Sequence, residues 1–399
     1  MINSPKLFTQ GIALTLMGAV ACTAPQVGQT SLVSQSDAET AQTGSACTLV
    51  DDGFGPQGTV QVRVEEVVTG LEVPWGIAFL PKDEMLVTER PGRIRLVQKG
   101  QLRPQPIATV NVSDRGEGGL LGIATHPDFA QNRFFYIYFT ASAEAGSVNR
   151  VERWRLSEDG VQATRDRIIV DNIPVARFHN GGRIRFGPDG MLYIGTGDAR
   201  DPDLSQDVNS LAGKILRVTP EGQIPADNPF SNNPVYISGI RNTQGFDWMN
   251  PSTLWVSDHG PSGELGRSGH DEVSIAQAGD NLGWPTVYRC DAKLGLVPPT
   301  LTWRQALPPG GAAVYTGQAI PEWKGSFMVA ALGAKQLQRI VIDPQSGQLQ
   351  QHEIYLQGQQ GRLREAVMGP DGDLYVTTSN CDGRGWCPAE RDKILRITR

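Results

Sequence analysis

The chain is poor in the signatures that announce a cofactor or a membrane span. It has no Cys-x-x-Cys-His, which argues against covalently held haem. It has no phosphate loop, dinucleotide fingerprint or His-Glu-x-x-His zinc motif. Its one sustained apolar run near the N-terminus, Gly11 to Ala21, is broken by Thr15 and is too short to cross a bilayer well. Positive charge is in deficit, with 36 Lys and Arg against 42 Asp and Glu and a net charge of −6. A nucleic-acid or anionic-membrane partner is therefore disfavoured. In contrast, 46 glycines and 27 prolines among 399 residues suit many short strands joined by tight turns.

The N-terminus reads as an address. Lys6 precedes the apolar run, which fits a signal peptide over residues 1–22. Ala19-Val20-Ala21-Cys22 reads as a lipoprotein cleavage box with lipid on Cys22; plain secretion is the alternative. Either way the expected location is periplasmic or secreted, with a membrane touched only through Cys22. Residues 23–55, rich in Ser, Thr, Gln, Ala and Gly, read as a disordered linker. Four cysteines remain, an even number suited to disulfides in an exported chain. Cys381 and Cys387 flank a short loop and are expected to pair. Cys47 and Cys290 are left as a second couple or as free thiols.

From residue 56 to 399 one unit recurs: an apolar strand, a Pro/Asp turn, a second apolar strand, a polar loop. Copies turn at Pro81, Pro127, Pro188, Pro251 and Pro370, and a degenerate copy spans Gly311–Gly317 and Phe327–Ala331. Six repeats of this length, with further strands between them, predict an all-β fold, a six-bladed β-propeller. Thr59–Val64 and Lys393–Ile397 are expected to share the closing blade, which removes an open sheet edge.

The third copy, Arg177 to Asp198, is a hairpin about the turn Pro188-Asp189-Gly190. It carries His179 where it starts and Asp198 where it ends, so both fall at one end of the sheet. A His there suits a general base, and an Asp beside it fixes the imidazole tautomer. Arg241-Asn242 and the pair Arg362 and Arg364 stand at equivalent places in other copies and suit carboxylate binding. Asp258-His259-Gly260-Pro261 ends in a turn whose carbonyls suit a hard cation, and Glu272 follows as a ligand for a second site. Asp201 to Asp207 lacks the spacing of a calcium loop and reads as a polar turn.

With these residues in hand, the chain resembles the soluble PQQ-dependent glucose/sorbosone dehydrogenases, nearest the bacterial aldose sugar dehydrogenases. The resemblance runs from about Val67 to the C-terminus. It rests on Pro74 to Pro81, Gly118 to Ala124, His179-Asn180-Gly181-Gly182-Arg183, Gly239 to Gly245, His259-Gly260-Pro261, Asn281-Leu282-Gly283-Trp284-Pro285 and Arg362-Leu363-Arg364. It implies oxidation of an aldose at C1 to the lactone. His179 would take the anomeric hydroxyl proton while hydride passes to PQQ, with Asp198 and Arg241 in the catalytic group. It further implies PQQ held by Arg241, Asn242, Arg362 and Arg364, Ca²⁺ on the carbonyls of Gly260 and Pro261, and an external electron acceptor, a quinone or a carrier. Two cofactor-binding positions depart from the family, and Thr243 replaces the Pro common after Arg241-Asn242, which is expected to be mild. Glu117 stands where Gln is common, among the cofactor-binding residues. Gly333 stands where a cofactor-binding Lys is usual, and Lys335 is the nearest substitute. Trp303 is expected in the core rather than on the cofactor. A six-bladed Ca²⁺-dependent lactonase and a non-catalytic propeller binding glycan or protein are the alternatives.

Overall fold

The computed structural model describes residues 47–143 and 146–399. The predicted leader, Cys22 and linker residues 23–46 lie outside the described residues. The rest forms six sheets arranged as the blades of a β-propeller. Blade 1 comprises Pro74–Leu80, Glu84–Glu89 and Arg93–Gln98 with two short edge strands. Blade 2 comprises Leu120–Thr125, Phe134–Ala143, Gly146–Leu156 and Ala163–Ile173. Blade 3 comprises Ile184–Phe186, Leu192–Gly195, Ile215–Val218 and Val235–Ile237. Blade 4 comprises Thr243–Asn250, Thr253–Asp258, Asp271–Ala276 and Leu301–Trp303. Blade 5 comprises Pro309–Val314, Phe327–Ala331, Gln336–Ile342 and Leu349–Tyr355. Blade 6 comprises Leu363–Met368, Leu374–Thr378 and Asp392–Thr398, completed by Arg63–Leu71 from the N-terminal side.

The first strands of successive blades abut one another around the axis, except that blade 3 meets Thr243–Asn250 of blade 4 chiefly through its second strand, Leu192–Gly195. Each blade is buried on both faces, so its strands are apolar at consecutive positions. Leu192 and Ile194 pack into the core shared with blade 2, while Tyr193 between them packs into the core shared with blade 4. Six such cores lie between neighbouring blades. The one joining blade 6 to blade 1, with Val68, Leu71 and Ile394 against Ile77 and Val87, closes the ring. Trp303 is buried in the core between blades 4 and 5, as expected.

Two boundaries differ from the sequence reading. The closing blade is shared as expected, with Val64 opposite Ile397, but its N-terminal strand is Arg63–Leu71 and not Thr59–Val64. Val60 and Val62 alternate like a strand because they pack against the blade 5–6 core, while pairing with Asp392–Thr398 begins only at Arg63. The linker also ends earlier than residue 55. Thr48–Val50 pairs in parallel with Leu301–Trp303 as a fifth strand of blade 4, and a Cys47–Cys290 disulfide pins it. Cys381 and Cys387 are joined as well.

Candidate active site

Antiparallel strands bring the start of each blade's first strand and the end of its second strand to the same end of the ring. The site is made of those positions. Glu117, His179, Asn242, Pro308 and Arg362 precede the first strands of blades 2 to 6, and Asp198, His259 and Leu332 follow second strands. Except for Asp198, which is buried behind His179, these residues line one axial cavity of about 370 Å³, with Arg200, Arg241, Gln244, Arg364 and Arg384.

His179 is buried and sits in the left-handed region at φ 63°. Gly197 packs so closely on its carbonyl that a Cβ there would lie 2.1 Å from it. The two hairpin ends are thus pressed together, and His179 Nδ1–H donates to Asp198 Oδ1 at 2.7 Å. Asp198 is itself fixed, accepting from Trp284 Nε1 at 2.9 Å and from the Arg200 amide at 2.8 Å. This bond to Asp198 leaves His179 Nε2 as the free nitrogen.

The neighbouring segment is set by a buried carboxylate. Asp258 accepts the amides of Arg241 and Asn242, each at 2.7 Å, and so presents both side chains to the cavity. Burial raises its pKa to about 6. Asp271 does the same for Gly260 and Leu307, again with a pKa raised to about 6 by burial. His259 donates from Nε2 to the Pro309 carbonyl at 2.5 Å. Burial, helped by Arg241 and Arg364, drops its pKa to about 3, so it stays neutral.

The cations are only partly matched. Arg362 pairs with Asp382 at 2.9 Å. Arg364 has no carboxylate partner among the described residues and bonds Gln244. Burial, with Arg362 and Arg90 nearby and only Asp382 and Glu117 in relief, pushes its pKa down to about 9. Arg241 Nε, Asn242 Nδ2 and Arg364 Nε are buried donors without partners. Such donors cost free energy until a ligand meets them. Unmatched guanidinium and amide groups converging on one cavity fit a polyanionic cofactor such as PQQ.

The two departures at cofactor-binding positions resolve differently. Glu117 is turned onto the His179 amide at 3.1 Å and onto Arg384 at 3.0 Å. Burial raises its pKa, but Arg384 and the His179 amide outweigh that and hold it below the usual carboxylate range. Arg384 lies in the loop closed by Cys381–Cys387, which was the only sequence sign of it. Lys335 does not join the site. It is exposed and lines a neighbouring cleft with Gln359 and Trp386. Leu332 takes the place in the cavity wall.

Gly260, Pro261 and Glu272 line, with Asp258, a cavity of about 20 Å³ beside the main one. That is room for one water or ion. Burial and the two neighbouring aspartates raise the Glu272 pKa well above its ordinary value. No cluster of three or more His, Cys, Asp or Glu side chains shaped for a metal occurs among the described residues, so backbone carbonyls would have to carry such a site. The Asp201–Asp207 turn is not a cation loop: Lys214 Nζ already takes the carbonyls of Leu204, Ser205 and Ala212. Arg200, Glu264, Trp284 and Arg384 were given no role by sequence reasoning: Trp284 lies in the Asn281 to Pro285 motif and Arg384 between two cysteines, but neither pattern names a contact with the site, and Arg200 and Glu264 lie in loops without a readable motif.

The family model for glucose/sorbosone dehydrogenase matches residues 71–395. Aldose sugar dehydrogenase YliI of Escherichia coli is 32% identical over 347 residues, covering 81% of this chain and 91% of that protein. The solved PQQ-bound aldose sugar dehydrogenase of Streptomyces coelicolor is 37% identical with a TM-score of 0.75, covering 85% and 98%. A Thermus thermophilus oxidoreductase assigned as a glucose dehydrogenase is 46% identical with a TM-score of 0.78, covering 84% and 100%. With fold, ordered motifs and the His–Asp–Arg cavity in agreement, the chain belongs to the glucose/sorbosone dehydrogenase family of sugar oxidoreductases.

Proposed function

We propose that the protein oxidises an aldose at its anomeric carbon to the lactone, with PQQ and Ca²⁺ as cofactors. The observation that carries this reading is the set of unpartnered donors on Arg241, Asn242 and Arg364 beside a buried His–Asp pair. His179 Nε2 would take the proton of the anomeric hydroxyl. Asp198 keeps the other nitrogen protonated and steadies the imidazolium that results. Arg362 and Arg364 would hold carboxylates, while Arg241 and Asn242 donate to oxygen near the base. Bound PQQ would supply the two-electron sink and Ca²⁺ a Lewis acid, with Gly260 and Pro261 as the nearest carbonyl ligands. Electrons would leave to an external acceptor, since the chain lacks a haem motif. Export, with or without lipid on Cys22, belongs to the same reading and is supported by two disulfides.

The test is titration of the purified chain with PQQ, with and without Ca²⁺, followed by dye reduction over a panel of aldoses. Saturable, Ca²⁺-dependent quinone absorbance and sugar-dependent reduction are expected. No binding and no reduction would overturn the reading.

A further inference from the structure

His179 Nδ1 is committed to Asp198, so Nε2 is the nitrogen that must meet a substrate. What faces Nε2 is a carboxylate oxygen, Glu264 Oε1, at 3.6 Å. The same oxygen accepts from Arg241 Nη2 at 2.9 Å and from Arg200 Nη1 at 3.1 Å. One oxygen of this chain therefore fills the point where an imidazole and two guanidinium groups converge. A ligand oxygen near the base has to take that same point.

We propose that Glu264 is a displaceable occupant of the reaction point, holding it in the ligand-free chain and leaving when a ligand oxygen enters. The ligand's identity rests on the reading above; the occupancy does not. The loop that carries Glu264 is rich in glycine and lies at the surface. Gly263 at φ 114°, Gly266 at 68° and Gly269 at 68° punctuate it, and Leu265 adopts φ 54°. A Cβ at Gly263 or Gly266 would meet open space, and Leu265 is 61% exposed. The loop is braced internally by a Ser262–Ser268 bridge, by the Gly263 amide to the Arg267 carbonyl, by the Gly266 amide to the Gly263 carbonyl, by the Arg267 amide to the Glu264 carbonyl and by the Ser262 amide to Glu264 Oε2. Asp198 and Asp258 each accept three hydrogen bonds, as Glu264 does, but they are buried whereas Glu264 sits on an exposed loop.

The cost of displacing Glu264 Oε1 from Arg241 and Arg200 is offset if the incoming group is an anion or a hydroxyl oxygen. Arg241 exchanges one oxygen partner for another. Burial pushes the Glu264 pKa up, but Arg241 and His179 outweigh it and hold it at about 2. The carboxylate is thus charged at any working pH, so the ligand must compete with it and cannot wait for its protonation. Glu264 is a positioning residue in this scheme: it touches the base and the binding arginine, and it sets the cost of entry.

The experiment uses the full disulfide-bonded chain, with Glu264→Ala and Glu264→Gln. PQQ with Ca²⁺ is titrated by quenching of tryptophan fluorescence. Separately, with no ligand, His179 is labelled with diethyl pyrocarbonate and quantified by peptide mass spectrometry, with His126 as internal reference. Glu264→Ala should bind PQQ about tenfold more tightly or better and label His179 several-fold faster; Glu264→Gln should shift both in the same direction. Unchanged or weaker PQQ binding with an unchanged labelling rate would overturn the proposal. If no variant binds PQQ while labelling still accelerates, the cofactor reading falls and the occupancy of the base by Glu264 stands.

Discussion

The two ends of the axial channel use the same residue types to opposite effect. At the end away from His179, a cavity of about 290 Å³ is lined by Arg183, Arg185, Asp247 and Glu365 among apolar side chains. There each arginine has its own carboxylate: Arg183 with Glu365, and Arg185 with Asp247 at 3.4 Å. Arg183 also donates Nε to the Gln244 carbonyl at 2.8 Å and lies over the Trp75 ring, leaving one donor, Nη2, unmet. At the His179 end five arginines share three carboxylates. Glu264 serves Arg200 and Arg241, Asp382 serves Arg362, Glu117 serves Arg384, and Arg364 has none. Matched ions tie blades together, whereas unmatched ones wait for a ligand.

Substituting the proposed base probes the His179 end most sharply. His179→Ala should lower kcat by about 10²–10⁴-fold while the arginines still bind PQQ, as steady-state rates and a titration would show. If binding is lost along with rate, His179 holds the cavity together and the contrast between the ends weakens.

Next comes the pairing itself. Glu365→Ala leaves Arg183 buried and uncompensated, and should cost about 3–5 kcal/mol of unfolding free energy in urea melts. Arg364→Gln removes a cation that has no counter-ion, so stability should change by less than about 1 kcal/mol while PQQ affinity falls tenfold or more. Equal destabilisation by the two variants would break the distinction.

A subtler effect is expected at Glu117. Arg384→Ala frees that carboxylate to face an anionic ligand and should weaken PQQ binding several-fold. Adding Glu117→Gln should restore much of it, a coupling readable in a double-mutant cycle.

The smallest effect is on pH dependence. The Glu264 pKa falls from an ordinary 4.5 to about 2 in the folded chain. Its contribution to stability is therefore complete above about pH 4.5 and is lost as pH falls toward 2. The stability difference between the native chain and Glu264→Gln should accordingly be flat from pH 5 to 8 and shrink only in acid.

Most of the fold was legible because it repeats. The strand–turn–strand unit is local, and a residue such as Gly190 at φ 74° in its turn needs no distant partner to be recognised. The hairpin placed His179 and Asp198 together for the same reason. Legibility failed where geometry depends on a neighbour. Thr59–Val64 alternates like a strand, yet its pairing partner is reached only from Arg63. Lys335 stands two residues from the expected place, and a two-residue offset in a tight turn carries its side chain to another cleft.

The sequence by itself determined the ring, since apolar runs and turns are set within a few residues of chain. It also placed His179, Asn242 and Arg362 just before first strands and Asp198 just after a second one, because each blade repeats the same exits. Tertiary structure alone decided the charge balance. Glu117 meets Arg384 across 267 residues, Arg183 meets Glu365 across 182, and Glu264 reaches His179 from an adjacent blade. Coulomb energy and desolvation depend on distance in space, and a linear order of residues carries no record of that distance until the blades close.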